Sequence, residues 1–138
     1  MSGSIIIDYS FFYFKEIAKT DIPYKHAGKF VQIKNGNTEY LVFSPKELCA
    51  YHANIVERFC LDKGIKGSYN KKQDIFTIYE QGWSILGGGK YEADTVERQL
   101  LIFGDSMAYG RFIQEGLREK IEGIEPYKGY IVSIDNFA

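Results

Sequence analysis

Lys29-Phe30-Val31-Gln32-Ile33-Lys34-Asn35-Gly36-Asn37-Thr38-Glu39-Tyr40-Leu41-Val42-Phe43 is the stretch whose reading decides the fold. Residues 29–34 place polar and apolar side chains in near-alternation, the period that sends neighbours to opposite faces of a sheet. Asn35-Gly36 is a two-residue turn signal, because both residues tolerate the positive φ that tight hairpins require. Residues 39–43 return as a second strand. Together these predict an antiparallel hairpin.

Immediately downstream, Ser44-Pro45-Lys46-Glu47 offers a cap residue, proline at the first helical position and a glutamate three residues after the cap, which predict a helix start. Gly64 marks its expected end. Leu48, Tyr51, Ile55, Val56 and Phe59 recur at helical spacing and define a core-facing stripe, with His52 inside it. Residues 74–80, 82–86, 98–103 and 130–134 read as strands between glycine-rich or charged turns, and a last helix is expected over about 109–122. Upstream, residues 4–9 suit a short strand and 11–18 a helical turn or two. Strands outnumber helices and do not alternate with them as in a doubly wound sheet. The expected class is therefore α+β, a mostly antiparallel or mixed sheet of about six strands with two packed α-helices.

A length of 138 residues suits one domain, 1–138. An apolar share of 45% and an aromatic share of 16% exceed what disorder allows and favour a sheet-based core. The formal net charge of -1 offers no broad basic footprint for nucleic acid or anionic membrane. Cys49 and Cys60 both fall on the predicted helix and point in different directions, so a disulfide is not expected and a reducing compartment is. Asp8 interrupts Ile5-Ile6-Ile7, and Lys15-Glu16 follow residues 11–14 at once, so neither a signal segment nor a membrane span is read. The expectation is a cytoplasmic monomer.

Two further runs carry chemistry. Leu86-Gly87-Gly88-Gly89-Lys90 reads as bare backbone N–H groups that could gather around an anion, with a cation at the rim. Gly104-Asp105-Ser106-Met107-Ala108-Tyr109-Gly110 reads as a strand end opening into a helix, whose free N–H groups and dipole favour negative charge. A phosphoryl group is the expected ligand. Neither run has the spacing of a nucleotide phosphate loop, and Ser106 lacks the Gly-x-Ser-x-Gly elbow of a nucleophile, so anion contact or capping is its better role. His52 can exchange a proton near neutral pH, although a histidine in that position commonly serves as a hydrogen-bonded core residue. His26 precedes a glycine in an expected loop, and two histidines without partners make no metal site.

Tyr51-His52-Ala53-Asn54-Ile55, then Leu86 through Lys90, then Phe103-Gly104-Asp105-Ser106-Met107-Ala108-Tyr109-Gly110 resemble, in this order, the three motifs of the Janus family of phosphohistidine phosphatases. The resemblance covers roughly residue 21 to the C-terminus, leaving residues 1–20 as an N-terminal extension and 65–81 as a lengthened connection. It implies a metal-independent, cofactor-free phosphatase that hydrolyses the P–N bond of phosphohistidine, carried by a protein or a small phosphoramidate. The resemblance makes His52 the essential residue by motif, and implies that Lys29, which falls on the lysine of the family's first long strand, holds the phosphoryl group together with Lys90, Ser106, Met107 and Ala108. Tyr51, Gly89 and Lys46 are further candidates.

Two departures bear on affinity. A basic residue that some members carry just before the histidine helix is replaced around Phe43-Ser44, which leaves Lys46 as a substitute cation. Lysine at position 90, where arginine is usual, keeps the charge but gives up two-pronged hydrogen bonding. On this reading His52 serves as general base on water, or attacks phosphorus itself. A non-catalytic phospho-recognition module is the alternative, and a nucleotide-binding protein a more distant one.

Overall fold

The computed structural model of the chain describes residues 3–135. The expected hairpin forms between β2 (Lys25–Asn35) and β3 (Thr38–Pro45), with Gly28 to Asn35 in antiparallel register against Pro45 to Thr38. Its turn residues are Gly36 and Asn37, one position later than expected, and Gly36 takes φ +61. A positive φ at the first central position suits the hairpin turns that glycine leads. β2 starts at Lys25, so His26 lies in a strand and not in a loop.

Around this hairpin a six-stranded mixed sheet runs in the order β1-β3-β2-β6-β7-β8. β1 (Gly3–Asp8) adds in parallel to β3, and β6 (Trp83–Asp94) pairs antiparallel with β2 and with β7 (Gln99–Phe103). β8 (Ile131–Ile134) closes the other edge, parallel to β7. A π-helical turn, Phe12–Ile17, follows β1. The fold class is α+β, as the strand-rich pattern predicts.

The period of two on β2 and β3 divides the interior into two layers. Phe30, Leu41 and Phe43 point to one face, with Tyr91, Leu100 and Ile102, under Leu117 and Ile121 of α2 (Leu117–Glu122). Val31, Ile33 and Val42 point to the other, under Ala53, Ile55, Val56 and Phe59 of α1 (His52–Lys63). Each fully buried aliphatic or aromatic side chain of these layers contributes roughly 1.5–3 kcal/mol of burial free energy.

Several local expectations are corrected. Ser44 and Pro45 end β3 and do not open a helix, because Pro45 sits in register with Gly28 and the next N–H, of Lys46, goes to Ala27 O. A turn follows, and α1 begins only at His52, with Tyr51 an exposed N-cap residue and not part of the core stripe. Gly64 ends α1 in the left-handed conformation, as expected. Cys49 lies before α1 and Cys60 within it, both buried and free. The last helix is confined to Leu117–Glu122, because left-handed glycines at 110 and 116 interrupt helical geometry upstream. The lengthened connection is a separate two-stranded ribbon, β4 (Gly67–Tyr69) with β5 (Phe76–Ile78). Within the expected extension, residues 1–2 lie outside the described range, as do 136–138 at the other end.

Candidate functional site

Lys29 and Lys90 are direct cross-strand partners on β2 and β6. Lys29 stands two residues before Val31, so the pair faces the α1 side of the sheet. The Lys29 ammonium donates to Ala50 O at 2.8 Å and lies 5.2 Å from the centre of the Tyr51 ring. Burial first, then repulsion from Lys90, holds its pKa below the ordinary lysine value. Ser44 is the neighbour of Lys29 on β3 and is fully buried, so the row is Ser44, Lys29, Lys90.

His52 is set by the start of α1. The Tyr51 N–H donates to Asn54 Oδ1 at 3.1 Å and the Asn54 N–H to Tyr51 O at 3.0 Å, which fixes the first turn. His52, 6% exposed, then packs its imidazole against the sheet at Gly88. A Cβ on Gly88 would stand 2.8 Å from His52 Cδ2, and one on Gly89 would stand 2.8 Å from the Phe112 ring on the opposite face. The glycine run is thus the middle of strand β6 and not an anion-binding loop. Its lack of side chains lets a histidine pack on one face and a phenylalanine on the other.

His52 Nε2 is 2.9 Å from Gly89 O. A carbonyl only accepts, so Nε2 carries the proton and the neutral ring keeps its lone pair on Nδ1. Nδ1 has no protein partner among the described residues and is not sealed from solvent. Burial lowers the His52 pKa below 6.5, and Lys29 and Lys90 lower it further, while the Gly89 hydrogen bond and Asp105 oppose the shift.

Residues 104–110 form a tight turn and not a helix start. Gly104 and Gly110 supply its ends with φ +74 and +83. The Ser106 N–H goes to Gly110 O at 3.2 Å, the Gly110 N–H to Ser106 O at 2.7 Å, and the Tyr109 N–H to Ser106 Oγ at 3.1 Å. The N–H groups of Met107 and Ala108 are left without a protein acceptor among the described residues. The donors come from the turn itself, with no helix dipole behind them.

These elements enclose a cavity of about 640 Å³ lined by Lys29, Tyr51, His52, Lys90, Met107 and Ala108. Six of the sequence-derived candidates therefore meet. Gly89 takes part through its carbonyl, and Ser106, buried beneath the turn, is not on the wall. Lys46 lies elsewhere, on a second cavity of about 480 Å³ with Lys25, His26 and Glu47, so it does not replace the missing cation beside Ser44. Among the described residues no cluster of His, Cys, Asp and Glu side chains could hold a metal ion. Among the same residues no helix is long and apolar enough to cross a membrane.

Residues 14–130 match the Janus/Ocnus family (Ocnus). The chain belongs to the Janus/Ocnus family. No curated protein matches it. The family match begins before residue 21, where the motif resemblance starts, and leaves β1 outside it.

The sequence reading of this Janus/Ocnus chain missed part of the wall. Lys72, Gln73, Asp74 and Ile75, from the tip of the lengthened connection, line the cavity opposite the sheet. Tyr109 ties that connection to the 104–110 turn, since its hydroxyl donates to Phe76 O at 2.7 Å and accepts from the Phe76 N–H at 2.9 Å. No local signal in residues 65–81 announces this, because the partner is thirty-three positions away. Asp105 also lines the cavity. It lies inside the third motif, which by itself assigns it no role.

Proposed function

We propose that this chain is a phosphatase that hydrolyses the P–N bond of phosphohistidine, in a protein or in a small phosphoramidate. The observation that carries the reading is the state of His52. Its proton is committed to Gly89 O, and its free Nδ1 belongs to a ring on the wall of a cavity that also holds two ammonium groups and two unspent backbone N–H groups. Such an arrangement suits a phosphoryl group better than any neutral ligand.

In this mechanism the Met107 and Ala108 N–H groups take phosphoryl oxygens, and Lys29 and Lys90 offset their charge. Preorganised donors of this kind contribute about 10²–10³ in rate each. Ser106 keeps the turn in shape through its backbone and hydroxyl, and does not itself reach the phosphoryl group. A water between phosphorus and His52 gives its proton to Nδ1 as the oxygen attacks, and the electron pair of the P–N bond leaves with the ring nitrogen. The depressed pKa of His52 keeps the base neutral at pH 7.

The test is phosphate release from a phosphohistidine peptide. The wild-type chain is expected to release it, and His52→Ala to lose about 10²–10⁴ in rate, the usual contribution of a general base. Equal release by the variant overturns the role of His52. Tight binding of the peptide by the wild type with no phosphate released favours a recognition module instead.

A further inference from the structure

An anion pocket with an unpaired carboxylate on its wall is a contradiction in charge. Asp105 lines the cavity with Lys29, His52 and Lys90, and its charge reaches His52. Its side chain is in no hydrogen bond or ion pair with any described residue. The other carboxylate on the wall, Asp74, is engaged, with Oδ1 accepting from Asn70 Nδ2 at 2.6 Å. The remaining charged group is Lys72, on the same connection as Asp74.

A carboxylate beside a bound dianion repels it. It therefore weakens phosphate binding unless the ligand carries positive charge on that side. Phosphohistidine carries such a charge, because the ring nitrogen not bonded to phosphorus takes up a proton in the pH range of an ordinary imidazole. Serine, threonine and tyrosine phosphate esters have no cation there.

We propose that Asp105 pairs with the protonated ring nitrogen of the substrate, holding the phosphorylated imidazole as a cation until the P–N bond breaks and selecting N-phosphoryl over O-phosphoryl groups. This rests on the phosphatase reading above and names its substrate selectivity. The step balances: the ring enters with one nitrogen bonded to phosphorus and the other protonated, and water oxygen bonds to phosphorus. The water proton passes to His52 Nδ1, and the P–N electron pair returns to the departing nitrogen. The ring leaves as neutral imidazole, its N–H still facing Asp105. No proton has to reach the departing nitrogen during bond cleavage.

The test compares wild type, Asp105→Asn and Asp105→Glu on a phosphohistidine peptide and on p-nitrophenyl phosphate, with inorganic phosphate as inhibitor. Asp105 is exposed, so neither substitution disturbs the core. For Asp105→Asn, kcat/KM on the peptide is expected to fall about tenfold, the value of one charge-assisted hydrogen bond, mostly through KM. Over the same change, inorganic phosphate should inhibit more strongly, because a like charge has gone, and the ester should lose nothing. Asp105→Glu should recover part of the peptide activity. An unchanged ratio between the two substrates, or a parallel loss on both, overturns the proposal. A wild-type chain inactive on phosphohistidine overturns the phosphatase reading as well, an outcome recognisable before any variant is compared.

Discussion

His52 acts as a base only while its ring is neutral, and the surroundings keep it so. Burial and the two lysines both push its pKa below 6.5. The acid limb of kcat/KM, set by His52, is accordingly expected below pH 6.5, and a pH–rate profile on a phosphohistidine peptide checks it. Lys29→Ala removes one depressing charge, so the limb should move upward while KM rises. The same shift has a stability sign. The unfolded chain binds a proton on this ring more readily than the folded one, so the contribution of His52 is intact above pH 6.5 and declines as pH falls from there through the folded pKa. Urea midpoints for wild type and His52→Gln across pH 5 to 8 should converge toward the acid end. Apart from Lys29 and Lys46, the candidate residues were legible because each sits in a short, ordered motif. The state of the ring was not, because the acceptor Gly89 O is thirty-seven positions away.

At the scale of elements, the glycine run shows how a correct residue list accompanied a mistaken local structure. Three glycines satisfy the rules for a loop, yet here they lie within a strand, Gly87 at a β-bulge with φ +153 and Gly88 and Gly89 where crowding from both faces of β6 leaves no room for a side chain. Gly88→Ala should therefore displace the His52 ring or cost about 1–3 kcal/mol of stability, measured by urea unfolding alongside phosphatase rate. The helix start was misplaced for a related reason. Ser44-Pro45-Lys46-Glu47 meets every local criterion, but pairing with Gly28 across the hairpin holds the chain extended, and a Cβ on Gly28 would stand 1.9 Å from Ser44 O. The true cap uses the main chain of Tyr51 and the side chain of Asn54, a signal that sequence rules rank low. Tyr109→Phe removes both hydrogen bonds to Phe76 and should cost about 1–3 kcal/mol, with faster amide exchange across β4 and β5.

For the molecule as a whole, α+β class and most of the strands were legible because hydrophobic period and turn residues report them directly, while β4 and the half of β6 beyond Leu86 were not. The order β1-β3-β2-β6-β7-β8 was not, since it depends on which strand edges meet across long separations. That order matters to function. It places Lys29 and Lys90 side by side, brings α1 onto their face so that His52 stands over β6, and returns the 104–110 turn to the same cavity. The 65–81 connection then closes the far wall and gives the cavity a volume of about 640 Å³, well beyond a single phosphoryl group. The measurement that addresses this convergence most directly is a titration of the nitrogen-15-labelled chain with inorganic phosphate, followed by NMR. The amides of Met107 and Ala108 and the Nδ1 of His52 are expected to shift together with one dissociation constant. Shifts confined to the second cavity around Lys25 and Lys46, with Met107, Ala108 and His52 unmoved, would contradict the account.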